Sequence, residues 1–285
     1  MTARQRPTRE ETLKANKYVH SNLANSGEYQ KSPHFRIENK KKVRGIVEHL
    51  QSQLSPAIPL KALDFGCGTG FMIDLMKNLF SEVHGVDITQ EMMDRVDISS
   101  GNVFLHESLA EHTAFPEAYF DFASAYSFMD HLFEPSDFLR EVFRVLKPGG
   151  IFYSDLNPNR DFIEAMCKAE TIIENFPSSM VEREIFGALH NGEYYLQTFG
   201  ISSDMLEKAE PIKSIDRGFS PVELVQLAKG AGFSHIEIEH DWFLGQAKVM
   251  HEISFDHATE IDSYLRSVLP VSSHLYKYLR LIIKK

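Results

Sequence analysis

Two carboxylates and a run of glycines carry the first chemical signal in this chain. Asp64 stands in Leu63-Asp64-Phe65-Gly66-Cys67-Gly68-Thr69-Gly70, and Asp87 follows 23 positions later in His84-Gly85-Val86-Asp87-Ile88. A glycine turn between a strand and a helix leaves backbone N–H groups open to a ligand that a Cβ would hold off. A carboxylate at the end of the next strand can accept both hydroxyls of a ribose, at about 1.5–3 kcal/mol per charged hydrogen bond. The pair therefore points to a nucleoside. A dinucleotide fingerprint, G-x-G-x-x-G started at Gly66, would need glycine at position 71, where Phe71 stands. What remains is D-x-G-x-G-x-G, whose acid would repel a pyrophosphate and could receive an ammonium group.

The elements that must position these groups follow from the pattern around them. Lys61 to Phe65 predicts a short buried strand, Phe71 to Leu79 the helix leaving the turn, and Val83 to Val86 the strand that delivers Asp87. Phe120 to Tyr126 predicts a further buried strand, Ser136 to Val145 a helix, and Leu146-Lys147-Pro148-Gly149-Gly150 a turn before a strand from Ile151 to Ser154. Ser220 to Gly230 places Leu224, Leu227 and Ala228 on one helical face. Strands at His235 to His240 and Leu279 to Ile283 close the series.

In this order of motifs the chain resembles the class I S-adenosylmethionine (SAM) dependent methyltransferases, over residues 60–156 and 218–243 and a last strand. It is most similar to the branch that includes ubiquinone-pathway and other small-molecule methyltransferases. The resemblance implies an α/β fold with a doubly wound, seven-stranded, mostly parallel sheet of Rossmann-like type, and SAM as cofactor. It implies an N-terminal helical cap at 1–55 and a SAM-binding domain at 56–285, with lid insertions at 157–217 and 246–277. By the family pattern, Asp64, Gly66 and Gly68 would lie against the methionine portion and Cys67 would offer its backbone. Asp87 would bind the ribose, and Ile88 the adenine face. Aligning Ala110-Glu111-His112-Thr113-Ala114-Phe115-Pro116 with the family stretch A-E-x-L-P-F-P puts Leu109 where aspartate is common. Leu109, Ala110 and Glu111, with Tyr126, complete the expected cofactor wall, and Glu107, Ser108 or Ala110 would read the adenine edge. Arg36 or Arg44 would reach the cofactor carboxylate, as an arginine upstream of the first motif does in some relatives.

Composition narrows the class. With 285 residues, 43% of them apolar, the chain can build one large core with a lid. No apolar run approaches about 18 residues and Met1 to Arg9 is polar and basic, so the expectation is a cytoplasmic protein with no membrane partner. Two cysteines, Cys67 and Cys167, suggest neither a disulfide framework nor a cysteine metal site. The net charge of −10 disfavours a nucleic-acid partner and hides an asymmetry: residues 1–50 carry 11 Lys+Arg against 5 Asp+Glu, and the remainder 19 against 35. The run Lys40-Lys41-Lys42 with Arg44 reads as the solvated face of a helix from Arg36 to Leu54. Basic groups near an entrance could also guide an acidic acceptor.

Acceptor choice would reside outside the common core, in Tyr18 to Glu38, in Asn157 to Arg217 and in Gln246 to Lys277. The second stretch predicts helices at Phe162 to Phe176 and Ser179 to Leu189 and a strand at Tyr194 to Thr198. The third predicts a helix at Ala258 to Leu269. Aromatics such as Phe162, Phe176, Phe186, Tyr195 and Phe199 would pack as core or line an apolar acceptor pocket. His131, in Tyr126-Ser127-Phe128-Met129-Asp130-His131-Leu132, sits after the fourth strand where ligands of open α/β sheets bind, and is the candidate general base. Capping the next helix, or packing under a lid, is the structural alternative. Tyr29, His34, Tyr153 and His190 are candidate substrate-binding residues by position alone. The grouping of Asp130, His131 and Glu134 is not diagnostic of a metal, and none is expected.

These observations suggest methyl transfer to a small organic acceptor at oxygen, nitrogen or carbon, with room for a homodimer. A protein or RNA methyltransferase, or a SAM-binding module without catalysis, remains open.

Overall fold

The computed structural model describes residues 6–24, 26–27, 31–55, 59–172, 182, 184–185 and 193–285. Strands β1 (Lys61–Phe65), β2 (Glu82–Asp87), β3 (Val103–Glu107), β4 (Phe120–Tyr126) and β5 (Leu146–Pro158) run parallel. Two more follow, β6 (His235–Phe243) and β7 (Tyr276–Lys284), and β7 lies antiparallel between β5 and β6. The order is β3-β2-β1-β4-β5-β7-β6, so the sheet changes direction of growth between β1 and β4. That switch opens a crevice at the carboxyl ends of the strands. The expected doubly wound α/β fold is present.

Alternation along β1 explains why the sheet is covered on both faces. Ala62 packs with Val43 and Val47 of helix α1, whose neighbours in the same cluster include Phe122 and Tyr153; Leu63 and Phe65 turn the other way, onto Phe138, Val142 and Phe152. Here α1 denotes Ile37–Ser52. On its side the sheet is also covered by α2 (Phe71–Met76); on the other lie α3 (Pro135–Val145) and α4 (Pro221–Ala231). α4 begins with a reciprocal capping box between Ser220 and Glu223 and ends at Gly232 with φ 111°. An N-terminal helix, αN (Arg9–Ala24), crosses the carboxyl edge of the sheet. Its apolar stripe of Ala15, Val19 and Leu23 packs on Ile201, Leu206 and Ala209, so the inserted segment holds it in place.

Three expectations change. Tyr194 to Thr198 lies in a helix, Glu193–Phe199, because Tyr195 and Phe199 pack on the cluster shared with αN rather than pairing with a strand. Aromatic content had favoured a strand, and tertiary packing overrides it. The stretch Leu146 to Gly150 extends β5 backwards, pairing Leu146 with Phe120 across an irregular register. The basic run is not a purely solvated face, since Lys40 pairs with Asp74 at 3.0 Å and Lys42 with the buried Asp241 at 2.5 Å. The helix starting near Phe162 runs from Arg160 to Ile172, and the one near Ala258 from Phe255 to Ser267. The pattern at Ser179 to Leu189 falls mostly outside the described residues.

A buried charge cluster ties the last three strands of the sheet together. Arg280, with a side chain 4% exposed, donates to Asp155 at 2.8 Å, to Asp241 at 2.5 Å and to Glu239 at 2.6 Å. Removing the guanidinium would leave the buried Asp155 without a cation, Asp241 keeping Lys42, a loss of about 3–5 kcal/mol. Arg280→Leu is therefore expected to lower unfolding stability by that amount in urea titration; a change under about 1 kcal/mol would show that the cluster is dispensable.

Candidate cofactor and acceptor site

The glycine turn gets its shape from the backbone. Gly66, Gly68 and Gly70 adopt φ of 64°, 50° and 90°, which side-chain-bearing residues rarely take up. At Gly66 the space is also closed: a Cβ would lie 2.1 Å from the Phe128 ring, so a protein side chain crowds this position as well as any ligand. Cys67 N–H donates to the Val86 carbonyl at 3.0 Å, which holds the turn against the end of β2. Asp87 then fastens the arrangement. Its two oxygens accept from Gly68 N–H at 2.9 Å and from Thr89 N–H at 2.8 Å, leaving further lone pairs for a diol.

Asp64 is the electrostatic centre of the crevice. Its carboxyl is 2% exposed, accepts from the Ser124 hydroxyl at 2.7 Å and forms no ion pair among the described residues. Burial, with the field of Asp87 added, pushes its pKa up to about 8. A buried acid of this kind lacks a cation, which fits the ammonium end of SAM. Burial also raises the pKa of the Cys67 thiol, keeping it neutral, and its Sγ points towards Gly85 beneath the turn.

A cavity of about 860 Å³ lies over these groups. Each of the ten expected cofactor residues, from Asp64 through Asp87 and Ile88 to Leu109, Ala110, Glu111 and Tyr126, lines it, and so does His131. The Tyr126 hydroxyl sits between the Asn39 side-chain amide at 2.7 Å and the His34 carbonyl at 3.2 Å, so it is anchored to the first turn of α1 and to the segment before it. Tyr153 does not reach the cavity. It is fully buried on the face beneath α1, donating to Asp155 at 2.6 Å, on β5 two strands away from the glycine turn. His34 lines a second, smaller recess, and burial drives its pKa down to about 3. Tyr29 and His190 lie outside the described residues. Arg36 and Arg44 are not on the main wall; Arg9 is, paired with Glu111 at 3.4 Å.

His131 is held at two points. Its ring Nδ1 lies 3.1 Å from the Ala209 carbonyl, and its own carbonyl accepts from the Asn16 amide at 3.2 Å. A carbonyl can only accept, so Nδ1 carries the proton and Nε2 keeps its lone pair. The short turn that bears it follows Ser127, whose φ of 53° is strained for a serine. His20 packs edge-on against His131 with ring centroids 4.8 Å apart. Burial and the neighbouring His131 hold the His20 pKa down to about 3, which keeps that ring neutral.

Sequence reasoning missed αN, which supplies Thr12, Asn16, Val19, His20 and Leu23 to the wall. The helical cap is expected at 1–55, but within it the acceptor-facing stretch is read as Tyr18 to Glu38, which leaves the helical spacing 12, 16, 19, 20, 23 unused. It also missed Glu210. The carboxylate that comes within 4.8 Å of Asp130 and His131 is Glu210, while Glu134 precedes α3 as its N-cap. Lys213 already places an ammonium 3.1 Å from Glu210, so a metal there would have to displace an ion pair.

Comparison with known proteins agrees with this geometry. A family model described as a methyltransferase domain matches residues 63–154, from the strand bearing Asp64 to the middle of β5. Over residues 63–154 the chain is thus similar to methyltransferase domains. Among curated proteins, it is 32% identical over 124 residues to the ubiquinone biosynthesis O-methyltransferase of Paraburkholderia phymatum, covering 41% of this chain and 53% of that protein. To the corresponding protein of Proteus mirabilis it is 26% identical over 139 residues, covering 46% and 56%. The chain thus spans about half the length of the curated relatives it matches. Among solved structures, it is similar to a SAM-dependent methyltransferase from Archaeoglobus fulgidus, with a TM-score of 0.50 at 18% identity over 86% of this chain and 94% of that one. It is also similar to the cyclase SpnF, with a TM-score of 0.57 at 16% identity over 100% and 99%. Those two likenesses establish the fold. No helix among the described residues is long and apolar enough to cross a membrane.

Asp64 yields a signed prediction. With its pKa raised from the ordinary 3.8 to about 8, the protein alone keeps this carboxyl protonated in that window, and ionising it as pH rises costs stability. Seating an ammonium beside it demands the ionised form. S-adenosylhomocysteine (SAH) is therefore expected to release a proton on binding at pH 6–7, and its affinity to rise by up to about tenfold per pH unit towards about 8. Calorimetry in two buffers of unlike ionisation enthalpy reads that proton, and Asp64→Asn should abolish its release. Equal proton release in parent and variant would remove Asp64 from the ammonium site.

Proposed function

We propose that this protein transfers the methyl group of SAM to a small organic acceptor, with His131 as general base. The observation that carries the reading is that the glycine turn, both acids and a His131 of fixed tautomer share one cavity. SAM, when bound, supplies a methyl group made electrophilic by its sulfonium. Asp64 and the Gly66 to Gly68 turn would hold its amino-acid end, Asp87 the ribose, and Ile88 with Leu109 and Ala110 the adenine. The acceptor atom would take the methyl group while its proton passes to Nε2 of His131, and the electrons of the broken carbon–sulfur bond stay on sulfur, giving SAH. Alignment supplies most of the acceleration in such a transfer, and a positioned base adds about 10²–10⁴. Similarity to O-methyltransferases favours a hydroxyl acceptor.

The fold alone does not fix this chemistry, as the similarity to a cyclase illustrates. A module that bound SAM without using it would have no need for space beside the methyl group or a histidine with a free lone pair. The domain reading, a cap at 1–55 over a catalytic unit at 56–285 with lids at 157–217 and 246–277, is supported by αN and the inserted helices meeting above the crevice.

Two variants test the reading. Asp87→Ala should weaken SAH binding at least about tenfold in calorimetry, since two charged hydrogen bonds are lost. His131→Ala should cut kcat/KM for a hydroxyl acceptor by about 10²–10⁴ while leaving SAH affinity within a few-fold. Unchanged turnover in His131→Ala would discard it as the base, and an unaltered affinity in Asp87→Ala would discard the ribose assignment.

A further inference from the structure

A second recess of about 430 Å³ adjoins the main cavity, and the two share Lys31, Pro33 and Lys213 in their walls. Its charge is opposite to that of the chain. Five cationic side chains, Lys31, Arg36, Lys213, Lys248 and Lys277, face two carboxylates, Glu184 and Glu252, in a protein of net charge −10. Lys277 is paired with Glu184 and Lys213 with Glu210, whereas Arg36 and Lys248 are exposed and form no ion pair among the described residues. At physiological salt a charge is felt over about 8 Å, so a group inside the recess meets chiefly the cations that line it, of which Arg36 and Lys248 are not offset by a paired acid among the described residues.

Two histidines of this wall also hold a buried ring nitrogen without a hydrogen-bond partner among the described residues. His251, whose side chain is 7% exposed, uses Nδ1 on Glu38 at 3.2 Å, and its Nε2 is buried with no hydrogen bond. His34 lies 3.4 Å from the Tyr278 hydroxyl through Nε2, and its Nδ1 is likewise buried and unpartnered. Buried polar atoms normally find partners, and those that do not mark places where a ligand or water completes the set. The link to the chemistry is short. Glu210 lies within 4.8 Å of His131 on one side and 3.1 Å from Lys213 on the other, so one carboxylate separates the candidate base from the wall common to both cavities.

We propose that this recess is an anion subsite, and that the acceptor is a small organic acid whose carboxylate or phosphate lies here while its methyl-accepting end reaches His131. The inference rests on the methyl-transfer reading and names its substrate class. Arg36 and Lys248 supply uncommitted charge at the recess. The basic first fifty residues thereby gain a role that a solvated helix face would not give them. An uncharged acceptor of the same shape would leave those cations unmatched and would bind less tightly.

The test is calorimetric titration of the SAH-loaded protein with benzoate, phenyl phosphate and neutral benzamide, repeated with Arg36→Gln/Lys248→Gln. Both positions are exposed, so the double variant should fold. Benzoate or phenyl phosphate, whichever is the better match, should bind at least about tenfold more tightly than benzamide, weaken as salt is raised, and lose that advantage in the double variant. The two anions separate a carboxylate from a phosphate subsite. Benzamide binding as well as both anions, or an anion preference untouched by the double substitution, would overturn the proposal. Failure of SAH itself to bind in the first step would strike the methyltransferase reading instead, so the two failures are distinguishable.

Discussion

The site depends on one carboxylate spanning two loops. Asp87 leaves the end of β2 and accepts from the backbone of the glycine turn on one side and of Thr89 on the other. Those two bonds fix the distance between the first and second strand ends, and with it the width of the crevice that any nucleoside must enter. Charge-assisted bonds to backbone amides are among the stronger and more directional ones available. The geometry is thus set by the protein before a ligand arrives, and binding need not be spent on assembling it.

Around that clamp the electrostatics are arranged by burial rather than by ion pairing. Asp64 is placed where only the Ser124 hydroxyl meets it, while Arg280 gathers three acids farther along the sheet, across β5, β6 and β7. The chain therefore separates its buried charges by purpose. Across β5, β6 and β7 the acids Asp155, Asp241 and Glu239 share one cation in Arg280. At the crevice an acid is left waiting for one. The same logic applies to the histidines: His20 is kept neutral by desolvation beside His131, so only one ring of that pair is available to carry charge.

Much of the fold and most of the cofactor wall were legible because they are written locally. Strands β1 and β4 are short apolar runs between turn residues, and the glycine turn with its two acids has a spacing that few other structures need. The remainder depends on contacts distant in sequence. Tyr153 has the residue type of a site group, but how far β5 stands from the glycine turn follows from strand order. Tyr194 to Thr198 has the composition of a strand and becomes helical only because αN offers it an apolar surface. Glu210 rather than Glu134 joins His131 because a segment some eighty residues downstream folds back over the turn, which no spacing within that turn could reveal.

The apolar seam between αN and the inserted helices has a consequence for dynamics. Ala15, Val19 and Leu23 support the same helix that walls the cavity with Asn16 and His20, so traffic through the crevice is coupled to how firmly that seam is closed. A tighter seam would lengthen the residence time of whatever lies beneath it, and a looser one would let His131 drift from its tether to Asn16. Of the three, Ala15 lies off the cavity wall, so evolution at that position can tune the pace of exchange without touching a group that lines the site.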